Sequence, residues 1–129
     1  MDKTNKRKIR VVDDDDNLRT VLVDKLNMAN FEAKGALNGK EGLKAALETH
    51  PDLILLDVMM PVMSGWDMLE KLREDEWGKT AKVMMLTVLE ELDSVAKAVE
   101  KKALRYIVKT QNALEDIVEQ VEGALAQSQ

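Results

Sequence analysis

Leu53-Ile54-Leu55-Leu56 is an uninterrupted apolar run that ends on Asp57 and is followed by Val58-Met59-Met60-Pro61. A run this short and this apolar reads as a strand buried on both faces, the situation of a strand inside a parallel sheet. In open α/β sheets ligands sit outside the carboxyl ends of the strands, so Asp57 is expected at a site and not on an ordinary surface.

The rest of the chain supports that architecture, because apolar strand-like runs alternate about five times with stretches of helical period. Ile9 to Val12 reads as the first strand. Leu18, Val21, Leu22 and Leu26 then fall on one face of a helix capped by the preceding acids. Phe31 to Ala36 is a weaker second strand, and Asn38-Gly39 signals a turn before a short helix with Leu43, Ala46 and Leu47 on its face. That helix stops before His50-Pro51, since the residue before a proline is biased out of the helical region. After the strand ending at Asp57, Pro61 and Gly65 punctuate a loop, and Met68, Leu69 and Leu72 restart a helical period ending near Trp77-Gly78. Lys82 to Leu86 forms a fourth strand ending on Thr87, and Leu92, Val95, Ala96 and Val99 mark a fourth helix. Arg105 to Val108 forms a fifth strand ending on Lys109, and Leu114, Ile117, Val118, Val121 and Leu125 give a last amphipathic helix.

With 129 residues the chain suits one domain with a real core. The expected division is a polar tail over 1–7, the domain over 8–126 and a short tail over 127–129. Nineteen Lys and Arg against 24 Asp and Glu leave a formal charge of −5, which argues against direct nucleic-acid or anionic-membrane binding through bulk charge. There is no cysteine, hence no disulfide, thiolate metal site or cysteine nucleophile. Neither a signal-peptide core nor a span of roughly 20 apolar residues is present, and the expectation is a soluble cytoplasmic protein.

The strand ends share a chemistry: Asp13 and Asp14 after the first, Asp57 after the third, Thr87 after the fourth, Lys109 after the fifth. In a parallel sheet these ends lie on one edge, and three carboxylates brought together there repel unless a cation sits among them. Oxygen donors without imidazole or thiolate suit a hard divalent ion, best Mg²⁺, which binds one or two carboxylates plus waters and a phosphate. Lys109 and the Thr87 hydroxyl would face the remaining oxygens of a phosphoryl group, leaving Asp57 as the nucleophile.

Val11-Val12-Asp13-Asp14-Asp15, Leu56-Asp57-Val58-Met59-Met60-Pro61 with Gly65, Met85-Leu86-Thr87 and Tyr106-Ile107-Val108-Lys109 occur in an order and at intervals that resemble the receiver domain of two-component response regulators. The resemblance runs from about Lys8 to Leu125. It implies a flavodoxin-like, doubly wound sheet of five parallel strands in the order 2-1-3-4-5 with five helices. It implies Asp57 as phosphoacceptor, with Mg²⁺ held by Asp14, Asp57 and the carbonyl of Met59, and by Asp13 mainly through water. Thr87 and Lys109 would contact the phosphoryl oxygens. The donor would be a histidine kinase or histidine phosphotransferase. Thr87 and Tyr106 would act as the switch, and the fourth helix, fifth strand and fifth helix would be the face read by a downstream protein or by a second copy in a phosphorylation-dependent dimer. By the same resemblance the chain is expected to be no enzyme toward other substrates and to catalyse only its own aspartyl phosphorylation and dephosphorylation.

Three positions depart from the family pattern. Thr110 stands where a proline usually follows the lysine by a cis bond, so that loop is expected either trans or under strain. Val88 replaces a small residue and is expected to narrow access to Asp57, and Lys102 replaces a turn glycine. Met59 and Leu89, which flank the path of attacking water in the family, are both apolar here and predict slow autodephosphorylation. His50 is expected as a solvated loop residue, the methionines as core and loop packing, Trp66 and Trp77 as cover on the third helix, and Glu90-Glu91 as a solvated helix start. Other readings stay open. A non-switching adaptor of the same fold would bind partners without phosphorylation. A flavin carrier would need a phosphate loop that Asp13 to Asp16 would repel. An aspartyl-phosphate phosphatase would want a second acid where Val58 and Met59 stand.

Overall fold

The structure, a computed structural model, describes residues 6–87, 105–108 and 114–126, with only the backbone described at Thr87 and over Arg105–Val108. Its elements run β1 (Lys8–Val12), α1 (Asp16–Met28), β2 (Glu32–Ala36), α2 (Gly39–Thr49), β3 (Leu53–Asp57), α3 (Gly65–Arg73), a 3-10 turn (Gly78–Thr80), β4 (Val83–Thr87), β5 (Arg105–Val108) and a C-terminal helix (Leu114–Ala126). The predicted fourth helix, Val88, Leu89, Glu90-Glu91, Lys102, Lys109 and Thr110 lie outside the described residues.

The strands form one parallel sheet in the order β2-β1-β3-β4-β5. β3 is its centre, and all five of its residues are buried. Alternation along the strands sends side chains to two layers. Ile9, Val11, Leu53, Leu55, Met84 and Leu86 pack with Leu22 and Leu26 of α1 and with Ile117 and Val121 of the C-terminal helix. Val12, Ile54, Leu56, Val83 and Met85 pack with Ala46 of α2 and with Met68, Leu69 and Leu72 of α3. Burial on both faces is why the central strand reads as continuous Leu and Ile instead of an alternating pattern.

The starts of α1, α2 and α3 each have a local cause. The Asp15 side chain accepts from the N–H groups of Asn17 and Leu18 to cap α1, Asn38 accepts from Glu41 to cap α2, and Ser64 accepts from Asp67 to cap α3. Asp16 then sits in the first turn of α1, where a negative charge complements the helix dipole.

Several elements differ in detail from the sequence expectation. Val21 is exposed, because the buried stripe of α1 runs through Leu22 and Leu26 with Leu18 and Val23 alongside. Helix α3 ends at Arg73, not near Trp77. Trp77 therefore does not lie on the third helix. It precedes the 3-10 turn, packs partly buried against the α2–α3 layer and stacks on His50 with ring centroids 4.2 Å apart. His50 is exposed as expected, yet it is also the left-handed C-cap of α2 (φ 48°). The guanidinium of Arg73 ends α3 by donating to the carbonyls of Gly78 and Ala81, which absorbs the chain reversal into β4. Met68, Met84 and Met85 are core residues, as expected of soft, adaptable side chains.

Lys25 of α1 pairs with Glu115 of the C-terminal helix at 3.5 Å. The Glu115 carboxyl is held below its ordinary value of 4.5, first by its own backbone N–H and then by the charge and hydrogen bond of Lys25. A depressed carboxyl stabilises the fold above its unfolded pKa, and that contribution fades as pH falls through the folded value. An NMR titration is expected to place Glu115 below 4.5, and Lys25→Ala is expected to move it only part of the way back, because the backbone hydrogen bond survives. A full return to the ordinary value would show that Lys25 alone causes the shift.

Candidate metal and phosphoacceptor site

β1 and β3 are paired in parallel with Ile9 opposite Leu53 and Val12 opposite Leu56. One further step along each strand brings Asp13 beside Asp57. Adjacent strands lie about 4.8 Å apart, so this register alone carries the two carboxylates to neighbouring positions at the carboxyl edge. Asp57 continues the alternation Leu53, Leu55 toward the α1 layer. Ligand oxygens of Asp13, Asp14 and Asp57 all lie within 4.8 Å of one another. Asp13 and Asp57 are buried, at 0% and 4% exposure, while Asp14 opens to solvent. A buried pair with one exposed member leaves a path for an ion and its waters.

The acidic run thus divides its work. Asp13 and Asp14 join Asp57, whereas Asp15 and Asp16 begin α1. Asp13 is tied through backbone and side chain: its N–H donates to the Ala36 carbonyl at 3.1 Å, extending the β1–β2 ladder, and its carboxylate Oδ1 accepts from the Asp15 N–H at 3.0 Å. Beyond Asp57, the N–H of Val58 donates to the Leu86 carbonyl at 3.0 Å.

The loop after Asp57 folds back on the strand it leaves. The Gly65 N–H donates to the Val58 carbonyl at 2.9 Å, and a Cβ at position 65 would lie 2.1 Å from the Asp57 carbonyl oxygen. Only glycine permits that approach, which pins the start of α3 against the end of β3. Inside the loop, the Met63 N–H reaches the Pro61 carbonyl at 2.7 Å across Val62, whose φ is 72°. This is a γ-turn of the strained hand, on a β-branched residue. Met59, the expected carbonyl ligand, opens the loop with its side chain exposed.

The donor set is three carboxylates, and among the described residues no imidazole or thiolate joins it. His50 stands at the opposite, amino edge of the sheet, before β3. Hard oxygen donors of this kind fit Mg²⁺ and do not fit softer transition metals. Of the other residues singled out in the sequence, Thr87 ends β4 with its backbone opposite Val108, and Tyr106 lies in β5 opposite Met85; their side chains, and all of Lys109, lie outside the described residues. Sequence reasoning missed Arg19. Its guanidinium bonds the Asp13 carbonyl and the Asp16 carboxylate, and its only trace in the sequence is a basic residue three positions after an acid.

Residues 9–122 match the response regulator receiver domain, and the chain belongs to that family. It is 38% identical over 109 residues to the transcriptional regulatory protein ResD of Bacillus subtilis, a match covering 84% of this chain and 44% of ResD. The chain spans less than half the length of the curated relatives it matches. Among solved structures it resembles the chemotaxis protein CheY4 of Vibrio cholerae, with TM-score 0.86 and 26% identity over 92% of this chain and 98% of that one. It also resembles the response regulator TrrA of Thermotoga maritima, solved in complex with Mg²⁺-BeF, with TM-score 0.79 and 32% identity over 92% of this chain and 98% of that one.

Two substitutions test the loop in opposite directions. Gly65→Ala is expected to cost about 1–3 kcal/mol, because backbone must move to admit the methyl group. Val62→Gly is expected to stabilise by roughly 1 kcal/mol, since relief of left-handed strain exceeds the added chain entropy of glycine and an exposed side chain loses little burial. Urea unfolding of both variants checks this; a destabilised Val62→Gly would mean the turn is not strained.

Proposed function

We propose that this receiver domain is a phosphoacceptor of a two-component phosphorelay, taking a phosphoryl group from a phosphohistidine onto Asp57. The observation that carries the reading is the gathering of Asp13, Asp14 and Asp57 within 4.8 Å at the carboxyl edge of a receiver-family sheet. A carboxylate oxygen of Asp57 attacks phosphorus in line. The O–P bond forms as the P–N bond breaks, and the imidazole nitrogen of the donor leaves with the electron pair and later takes a proton. Asp13, Asp14, Asp57 and the carbonyl of Met59 would hold Mg²⁺, which when bound neutralises charge on the transferring group.

The residues of the chain supply the rest. Burial of Asp57 leaves little water to compete for its oxygens, and the Gly65 contact holds the strand end still while the phosphoryl arrives. Thr87 at the end of β4 and Lys109 just after β5 would meet the phosphoryl oxygens, Lys109 as a positive charge where negative charge is transferred. The added charge of roughly −1.5 to −2 then biases Thr87 and Tyr106 between two arrangements. A fourth helix, expected from Leu92, Val95, Ala96 and Val99, would complete a five-strand, five-helix receiver. That helix, β5 and the C-terminal helix form the face read by a downstream protein or a second copy. The partner upstream is a histidine kinase or histidine phosphotransferase, and the chain works in the cytoplasm as a switch, without turning over other substrates. Among the described residues no helix is long and apolar enough to cross a membrane.

The test is direct. With Mg²⁺ and a small acyl phosphate, the protein is expected to gain the mass of one phosphoryl group, and Asp57→Asn or chelation of Mg²⁺ is expected to abolish the gain. A wild-type chain that stays unlabelled while binding partners would favour the adaptor reading, which rests on Thr110 and Val88.

The lifetime of the phosphorylated form is a separate expectation. Met59 and Leu89 give attacking water neither a base nor an orienting group, so decay is expected over minutes or longer. Replacing both with polar residues should shorten it. Decay of the wild type within seconds would overturn this account of the two positions.

A further inference from the structure

The Asp13 carbonyl accepts from Nη1 of Arg19 at 2.8 Å, while Nη2 of the same guanidinium holds the Asp16 carboxylate. The Arg19 side chain is only 18% exposed. Its stem crosses the edge strand β2 at Gly35, where an added Cβ would lie 2.9 Å from Cδ and 3.1 Å from Cγ of Arg19. Gly35 has an ordinary backbone, with no positive φ, so its lack of a side chain serves the passage of Arg19 and not a turn.

We propose that Arg19 is a positioning residue for the metal site, clamping the backbone of Asp13 so that its carboxylate faces Asp14 and Asp57, and that Gly35 is the gap through which the clamp reaches. The proposal rests on the Mg²⁺ site of the phosphoacceptor reading. Asp13 is held by the sheet at its N–H, by the Asp15 N–H at its carboxylate and by Arg19 at its carbonyl. The third hold comes from a side chain and bridges α1, the β1–α1 loop and β2.

Charge and geometry make opposite demands, which is what makes the assignment testable. As a mere charge, a guanidinium at the backbone of Asp13 repels a cation arriving at the carboxylates, so its removal would tighten Mg²⁺ binding. As a clamp, its removal loosens a ligand and weakens binding. Lysine keeps the charge but lacks the planar fork that bonds a carbonyl and a carboxylate together.

Mg²⁺ titration by calorimetry of the full chain, with wild type, Arg19→Met, Arg19→Lys, Gly35→Ala and the Arg19→Met/Gly35→Ala double variant, each well below its own melting temperature, decides between them. Arg19→Met is expected to weaken binding about tenfold, the scale for groups that orient metal ligands, and Arg19→Lys to recover only part of it. Gly35→Ala, which leaves every donor and charge in place, is expected to weaken binding as well. The double variant should be no weaker than Arg19→Met, because the two changes disable one device. Labelling of Arg19→Met by an acyl phosphate should be restored by raising Mg²⁺, which general damage to the fold would prevent. Unchanged or tighter binding in Arg19→Met, or independent effects of the two positions, overturns the proposal while leaving the phosphoacceptor reading intact. A wild type that binds no Mg²⁺ overturns both.

Discussion

The parallel pairing of β1 with β3 is the constraint on which the rest depends. Side chains in a sheet alternate with period two, so a slip of one residue would send the apolar set of β3 to the wrong layers and move Asp57 out of line with Asp13. Burial on both faces makes such a slip costly, since Leu53, Leu55 and Ile54, Leu56 fill two separate clusters. The hydrophobic core therefore aligns the carboxylates, although none of its members touches chemistry.

Gathering acids at one edge carries an electrostatic cost, and the structure meets it by division. Asp15 and Asp16 are turned to the start of α1, where backbone N–H groups and the helix dipole accept their charge. Asp13 and Asp14 remain for the site, and the guanidinium of Arg19 spans the two groups. On the other side of the site, Gly65 and the turn at Val62 bring the β3–α3 loop back against β3. Strain in that loop is tolerated because α3 is anchored in the core through Met68, Leu69 and Leu72.

How much was legible beforehand follows from which interactions are local. The strands, the helix stripes and the acids at strand ends all carry periods or turn signals of a few residues, and over the described residues they match the structure apart from details such as Val21 and Leu47, which are exposed. Val21 and Trp77 depart from the sequence expectation for separate reasons. A stripe of period 3.6 leaves the angle of the buried face uncertain by about one residue, so Val21 and Leu22 are equivalent until a neighbouring layer selects one. Helix α3 was extended toward Trp77 because nothing local forbids it; the stop comes from Arg73 bonding carbonyls five and eight residues ahead.

From its sequence alone the chain determined its α/β class, its buried central strand ending on Asp57 and its membership of a family whose motifs lie at the sheet edge, because buried strands and strand-end acids are written in consecutive residues. The sequence already pointed to Asp13 and Asp14 as companions of Asp57; only the tertiary structure decided that Asp15 caps α1 and Asp16 lies in its first turn, since that depends on where α1 begins relative to the β1–β3 register. It alone revealed Arg19 and Gly35 as partners, for a side chain on α1 and a missing side chain on β2 become one device only when the two elements are packed together.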